Sequence, residues 1–163
     1  MRVVSYSPDL APAFADLNRE WIERLFAIEA ADLKVLTDPQ AIITAGGQIF
    51  FALDEGTAIG TAAVIACSPT RVELAKMAVA PRYQGRGAGR ALGQRAVEWA
   101  RDVYRAETMF LETNSRLVGA IRLYERLGFL RCPMPEHSDY ARADVFMEMA
   151  LTNSAFGIRN SEL

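Results

Sequence analysis

The sequence predicts an α/β (α+β) domain in which helices flank a mixed, largely antiparallel sheet. Three apolar segments joined by short turns indicate antiparallel strands, and an apolar spacing of three and four residues later indicates helices. Helix-type and strand-type segments then mix to the end of the chain. The 163 residues are close to the roughly 150 of one domain. We therefore expect a single domain over 1–151 and a loose polar tail over 152–163.

The first third of the chain predicts a strand, a long helix and a short helix. Residues 3–6 form the strand, and Pro8 and Asp9 lie in the first turn of the helix. Its predicted apolar face consists of Phe14, Leu17, Trp21, Leu25 and Ile28. Pro39 ends this region, and the glycines at 46–47 end the short helix.

Strands are predicted over 48–53, 58–67 and 71–79. The turn signals at 54–56 and 68–70 join them, so we expect an antiparallel meander.

The second half predicts two helices that alternate with strands. The first helix has an apolar face of Leu92, Ala96, Trp99 and Val103. After a strand over 108–113, Ser115 is expected to cap the second helix, which Gly128 ends. Its buried face is predicted to consist of Leu117, Ile121 and Tyr124. Strands over 129–132 and 144–151 complete the domain.

Composition excludes several classes of protein. Apolar residues make up 51% and charged residues 23%, which excludes a disordered chain, a collagen-like repeat and a small disulfide scaffold. A net charge of −2 argues against a nucleic-acid partner. No apolar stretch approaches the ~20 residues that span a bilayer, so no membrane partner is expected.

The cysteines are too few and too far apart for a structural zinc site. Cys67, Cys132 and His137 supply fewer than the four ligands needed, so no metal is expected. We expect both cysteines to be buried structural thiols, and they indicate a reducing, cytoplasmic compartment.

The glycine-rich segment from Val79 to Arg90 runs from a strand into a helix. Unpaired N–H groups and the dipole at a helix start favour an anion. Six arginines against two acids over 82–105 also favour a phosphate-bearing ligand. A bare strand–helix turn with solvated arginines is the alternative. A P-loop is excluded because Ala91 stands where Ser or Thr is needed.

A Rossmann nucleotide loop is a closer rival, because the segment is dense in glycine. However, five residues separate Val79 from Gly85, whereas a dinucleotide loop bends immediately after its strand.

Gln84-x-x-Gly87-x-Gly89 resembles the Q/R-x-x-G-x-G/A pyrophosphate loop of the GNAT superfamily of N-acetyltransferases. The segments 77–79, 111–114 and 120–129 resemble the family's strand end and its later strand–helix–strand unit. The resemblance implies acetyl-CoA as cofactor and two central strands that splay apart around its pantetheine arm. It implies that the cofactor is bound by Met77, Ala78, Val79, Gln84, Gly85, Arg86, Gly87, Ala88, Gly89, Arg90, Asn114, Tyr124 and Arg126.

Tyr124 is the candidate general acid. Its position matches the tyrosine that acts as general acid in the family. A phenol pKa near 10 suits protonation of a thiolate whose thiol pKa is near 8.5. The alternative is an aromatic core residue. The resemblance also implies that the backbone N–H of Val79 stabilises the oxyanion.

Glu73 is the candidate base. It is an acid in an otherwise apolar strand, expected on the same side as Ala75, Met77 and Val79. Partial burial would raise its pKa, and histone-type members of the family carry a catalytic glutamate here. One alternative is a charge paired with Arg71 or Lys76. In another, His137 or a chain of water molecules acts as the base instead.

The acceptor site is expected between the N-terminal helices and the last loops. Its candidate residues are Trp21, Phe26, Glu29 and His137. Each has an alternative place in the core or on the surface. Six acids against three bases over 16–38 could attract a cationic amine, or could form a solvated helix face.

The sequence therefore predicts an N-acetyltransferase that moves an acetyl group from acetyl-CoA to a primary amine of a small molecule or protein. The expected mechanism is direct transfer in a ternary complex. The alternatives are an acyl-CoA-binding sensor without turnover and a Rossmann-type nucleotide-binding protein. A homodimer is compatible with the family that the sequence resembles.

Overall fold

The computed structural model of the protein describes residues 1–151, and the predicted tail over 152–163 lies outside them. The strands are β1 (Arg2–Ser5), β2 (Gln48–Asp54), β3 (Thr57–Ser68), β4 (Arg71–Val79), β5 (Thr108–Thr113), β6 (Leu130–Cys132) and β7 (Val145–Ala150). The α-helices are α1 (Ala11–Leu25), α2 (Ala30–Thr37), α3 (Gln40–Thr44), α4 (Ala88–Trp99) and α5 (Val118–Leu127). This mixture confirms the predicted fold class.

The strands form one sheet in the order β1-β2-β3-β4-β5-β7-β6. Every neighbouring pair is antiparallel except β4 and β5, which are parallel. Their pairing is confined to Arg71–Glu73 against Thr108–Phe110, after which the two strands separate. The sheet thus contains the predicted meander and the predicted splayed central pair, and a cleft opens where the pairing stops.

The two faces of the sheet bury separate cores. Phe50 packs with the α4 and α5 side, whereas Phe51 packs with the side of α1 to α3. Successive side chains of a strand point to opposite faces, so these neighbours belong to different cores. Both faces are covered, which explains why the central strands are apolar without a clear alternation.

The first long helix ends earlier than its apolar spacing predicts. α1 stops at Leu25, Phe26 is extended, and the unpredicted α2 follows. The buried face is Phe14, Asn18 and Ile22 rather than the predicted stripe. The buried Asn18 amide donates to the Phe14 carbonyl and accepts from the Trp21 indole. These two bonds allow a polar side chain on the inner face.

Val103 is not part of the apolar face of α4, and that prediction is wrong. After Trp99 the helix widens into a π-helical turn over Ala100–Tyr104, which leaves Val103 63% exposed. The wider turn rotates the following residues away from the 3.6-residue stripe. Tyr104 instead packs against the core on the α4 side, and its hydroxyl donates to the Ser68 carbonyl at 2.7 Å.

Two further predictions are wrong. Ser115 does not cap α5, which begins at Val118, because the Ser115 hydroxyl donates to Asp144 instead. The cysteines are free thiols but are not both buried. Cys67 is exposed beside the β3–β4 turn, and Cys132 is half-buried on the short edge strand β6.

Over residues 1–151, none of the helices is long and apolar enough to cross a membrane.

Candidate active site

A cleft of about 850 Å³ opens between the separating strands β4 and β5. Its walls are the second half of β4, the loop that leads into α4, the end of β5 and the start of α5. The C-terminal end of α1 and the segment around Tyr140 and Arg142 close the far side. The splayed strand pair therefore joins the glycine loop at one end to the N-terminal helices at the other.

A β-bulge at Lys76 changes which face of β4 each residue occupies. Lys76 has a φ of +52°, and the pairing with β3 places two residues of β4 opposite one of β3. Leu74 packs against the α4 side before the bulge, and Met77 does so after it. The prediction that Glu73 shares a side with Met77 and Val79 is wrong, because the extra residue reverses the alternation.

Glu73 lines the cleft and is half-buried. Burial, together with the nearby carboxylate of Glu112, raises the pKa of Glu73 to about 7. This confirms the expected rise in pKa and places the proton equilibrium where a general base operates. Neither neighbouring base forms an ion pair with Glu73, because Arg71 pairs with Glu148 and Lys76 with Asp32. The charge of Lys76 acts to lower the pKa of Glu73, but burial and the Glu112 carboxylate outweigh it.

Tyr124 projects from α5 and lines the cleft. Its ring also packs edge-on against Phe129, with the ring centroids 6.2 Å apart. Burial raises the pKa of Tyr124 to about 12, so its phenol stays protonated at neutral pH. The residue thus has both the packing contact and the position facing the cleft that the sequence left as alternatives.

The glycine loop is shaped by left-handed backbone at Gly85 and Gly87, with φ values of +78° and +88°. Gly87 is the N-cap of α4, and the first hydrogen bond of that helix runs from the Ala91 amide to the Gly87 carbonyl. The three amides at 88–90 precede that bond, so the helix gives them no acceptor. The Gln84 side chain donates to the Val79 carbonyl and ties the loop to β4.

The structure brings together in one cleft most of the residues predicted to bind the cofactor. These are Met77, Ala78, Val79, Gln84, Gly85, Gly87, Ala88, Gly89, Arg90, Asn114, Tyr124 and Arg126. Arg86 is outside the cleft wall, and its guanidinium lies 5.5 Å from the centroid of the Tyr83 ring.

Three of the four predicted acceptor residues lie close together around the Arg142 guanidinium, and His137 lies apart from them. Trp21 lines the cleft, and Phe26 packs edge-on against it with centroids 6.3 Å apart. Glu29 accepts hydrogen bonds from the Ala141 amide and the Arg142 guanidinium. His137 is exposed in the loop before β7 and does not line the cleft.

A buried cluster of charges beside the cleft was not predicted. Asp32 is fully buried and accepts hydrogen bonds from Lys76 at 2.7 Å and Arg142 at 2.6 Å. Lys76 also donates to the Tyr140 hydroxyl at 3.0 Å. Burial alone would raise the pKa of Asp32, but these hydrogen bonds outweigh it and hold that pKa well below its usual range. In the sequence, this cluster was indicated only by Lys76, a single lysine among the apolar residues of β4.

Two kinds of comparison identify the fold and the family. The family model described as "Acetyltransferase (GNAT) family" matches residues 12–129. The N-acetylaspartate synthetase of Rattus norvegicus is 33% identical over 93 residues, which cover 56% of this chain and 31% of that protein. The chain thus spans about a third of the length of the curated relative that it matches.

Solved structures share the fold at low sequence identity. A GNAT acetyltransferase from Staphylococcus aureus Mu50 has a TM-score of 0.83 at 17% identity, with 92% of this chain and 98% of that chain covered. The yncA protein of Salmonella typhimurium, solved with its cofactor acetyl-CoA, has a TM-score of 0.73 at 21% identity and coverages of 93% and 94%. A spermidine N-acetyltransferase from Vibrio cholerae has a TM-score of 0.73 at 16% identity and coverages of 97% and 99%.

These solved structures show the likeness of fold, and the family model covers well over half of the chain. The chain therefore belongs to the GNAT family of acetyltransferases.

Proposed function

We propose that residues 1–151 form an N-acetyltransferase domain, which transfers an acetyl group from acetyl-CoA to a primary amine by a direct ternary mechanism. The observation that carries this proposal is the continuity of the cleft. One end carries the loop at the start of α4, and Glu73 and Tyr124 line the same space. A donor held at the loop and an amine entering from the α1 side would therefore meet within one cavity.

The residues of the loop fit the pyrophosphate of acetyl-CoA. The amides at 88–90 lack acceptors within α4, and the helix dipole adds partial positive charge at the same place. Arg90 and Arg126 line this part of the cleft and bring two further positive charges. The separated edges of β4 and β5 leave room for an extended arm between them.

Bound acetyl-CoA supplies a thioester whose carbonyl carbon becomes bonded to the amine nitrogen while its bond to sulfur breaks. Glu73 removes a proton from the incoming ammonium, because its carboxyl is half ionised near pH 7. The Tyr124 hydroxyl donates its proton to the departing sulfur. Tyr124 is restored by the remaining proton of the reacting nitrogen. The products are the amide, coenzyme A as the thiol and one proton released from Glu73.

Two of the proteins compared above have names that indicate their acceptors. By their names, the rat relative makes N-acetylaspartate and the Vibrio neighbour acetylates spermidine. Aspartate is an acidic primary amine and spermidine is a polycation. Their common feature is the primary amine, and we propose this group as the acceptor for the present chain, on a small molecule or a protein.

An acyl-CoA sensor without turnover is the remaining alternative, and it would require a blocked acceptor side. The cleft extends from the loop before α4 as far as Trp21 and Tyr140, which argues against such a block.

An acetylation assay tests the proposal. The purified chain is incubated with acetyl-CoA and a panel of primary amines, and thiol release and acetylated product are both measured. Thermal shifts with acetyl-CoA, coenzyme A and NAD(P) are recorded in parallel. Turnover of at least one amine, with stabilisation by acetyl-CoA, is the expected result. Stabilisation without turnover of any amine would favour the sensor, and stabilisation by NAD(P) alone would contradict the cofactor.

A further inference from the structure

The acidic residues of α1 and α2 do not face the cleft. Glu20 pairs with Arg24 at 2.7 Å, and Glu29 pairs with Arg142 at 3.2 Å. Asp32 is enclosed between Lys76 and Arg142. None of the carboxylates of α1 and α2 lines the cleft wall. The carboxylates of α1 and α2 are therefore not placed in the cleft to attract a cationic acceptor, and Glu20, Glu29 and Asp32 are paired with bases of the domain.

Arg116 is a cation in the cleft wall that has no carboxylate partner among residues 1–151. Its guanidinium donates to the Leu25 carbonyl at 3.1 Å and lies 5.0 Å from the centroid of the Phe26 ring. Its backbone N–H donates to Asn114 at 2.8 Å. The two side-chain contacts hold the guanidinium of this exposed arginine beside the end of α1, and some of its N–H donors have no acceptor among them.

The carboxyl groups in the cleft belong to Glu73 and Glu112, on β4 and β5. The Glu112 carboxylate accepts from the Ser138 hydroxyl at 2.7 Å and is close enough to Glu73 to raise the pKa of that residue. The cleft wall therefore combines two carboxyl groups, suited to an ammonium, with a positioned guanidinium, suited to an anion.

We propose that Arg116 binds a carboxylate of the acceptor, so that the acceptor is a small primary amine of the amino-acid type. This rests on the acetyl transfer proposed above. The ammonium of such a molecule would face Glu73 and Glu112, and its carboxylate would face Arg116. A polyamine would instead bring a second positive charge towards an arginine that no carboxylate neutralises.

Matched amine pairs test the assignment, with acetyl-CoA saturating. Each pair differs by one carboxylate, and its second member has none: phenylalanine and phenethylamine, leucine and 3-methylbutylamine, lysine and cadaverine. We expect the amine with the additional carboxylate to have the higher kcat/KM in each pair. Arg116→Gln should lower kcat/KM for that member about 10- to 100-fold, the value of a lost charged hydrogen bond. The member lacking the carboxylate should change less than about threefold.

Arg122→Gln is the matched control, because Arg122 is exposed on the neighbouring helix α5 and does not line the cleft. It removes the same charge and should leave the preference within each pair unchanged. Arg116→Lys keeps the charge but lacks the paired N–H donors of the guanidinium, so it should retain part of the preference. It serves as the test if Arg116→Gln fails to fold.

The outcomes separate this inference from the function on which it rests. Equal or better turnover of the amines that lack the carboxylate would overturn the inference and leave the acetyltransferase intact. The inference would also be wrong if Arg116→Gln reduced both members of each pair equally. Absence of turnover with every amine would instead contradict the proposed function.

Discussion

Burial has opposite uses at the two candidate catalytic residues. It raises the pKa of Glu73 to about 7, which makes that carboxyl a proton acceptor at neutral pH. It raises the pKa of Tyr124 to about 12, which keeps that phenol protonated. Burial thus shifts the pKa of both groups in the same direction but suits them to different tasks, because one is needed as a base and the other as an acid.

Changing Glu73 to Gln tests its role as the base. Below pH 7 the wild-type carboxyl is protonated, so kcat/KM should rise with pH through about 7. The Glu73→Gln variant should lose this limb and follow the pKa of the amine itself. His137→Ala is the control, because His137 is exposed outside the cleft and should leave the limb in place. The assignment is wrong if the histidine variant loses the limb and the glutamine variant keeps it.

Changing Tyr124 to Phe keeps the ring that packs on Phe129 and removes the hydroxyl. General acid catalysis contributes about 10²–10⁴-fold, so kcat should fall by this factor. Acetyl-CoA affinity, measured by calorimetry, should change little. An unchanged kcat, with chemistry shown to be rate-limiting, would reduce Tyr124 to a packing residue.

The cleft is formed where β4 and β5 stop pairing and where α4 begins. β4 and β5 stop pairing after Glu73 and Phe110, and α4 begins at the loop between them. Gly85 and Gly87 give this loop its left-handed turns. Gly89 has a different task, because a β-carbon there would lie 3.2 Å from the Leu123 side chain of α5. Two glycines of the motif therefore allow the turns of the loop, and the third allows α4 and α5 to pack closely.

Gly87→Ala tests the loop, with Gly56→Ala as its matched control. Both glycines have positive φ, and a β-carbon at either would meet no protein atom within 4 Å. Each variant should lose about 1–2 kcal/mol of unfolding free energy from the left-handed backbone. Gly87→Ala alone should weaken acetyl-CoA binding, by about tenfold or 1.4 kcal/mol, because Gly87 lines the cleft. Equal acetyl-CoA affinity of both variants in calorimetry would remove the loop from the binding site.

Across the whole molecule, the Asp32 cluster joins the N-terminal helices to the sheet and to the last loop. Asp32 lies on α2, Lys76 on β4, and Arg142 precedes β7. The same contacts position Lys76, Tyr140 and Arg142 in the wall of the cleft. A buried charged cluster thus joins α2, β4 and the loop before β7.

Asp32→Asn should destabilise the fold by about 3–5 kcal/mol at pH 7, because Lys76 and Arg142 would be left as buried charges without compensation. The pKa of Asp32 is lowered by folding, so its contribution is present above about pH 4 and is lost as the pH falls further. Urea unfolding at a series of pH values should show the difference from wild type shrinking below pH 4.

The control for this experiment is Asp16→Asn, at an exposed position of α1. It should change the unfolding free energy by less than about 0.5 kcal/mol. Equal effects of both variants would show that the buried cluster contributes nothing.

The sequence alone determined the fold class, the order of most elements and the loop at the start of α4. Turn glycines, strand patterns and the spacing in 84–89 are local signals, and local chemistry is sufficient to interpret them. It also placed Glu73 and Tyr124 among the candidates.

Tertiary structure alone decided which faces are buried and which charges meet. The bulge at Lys76 reversed the face of β4, and Val103 and Cys67 proved exposed. Asp32 lies 44 residues from Lys76 and 110 from Arg142 in the chain, yet binds both. Such pairings depend on neighbours brought together by the fold, which hydrophobic periodicity does not encode. For the same reason, only the folded structure showed that the acids of α1 and α2 turn away from the cleft and that Arg116 lines it.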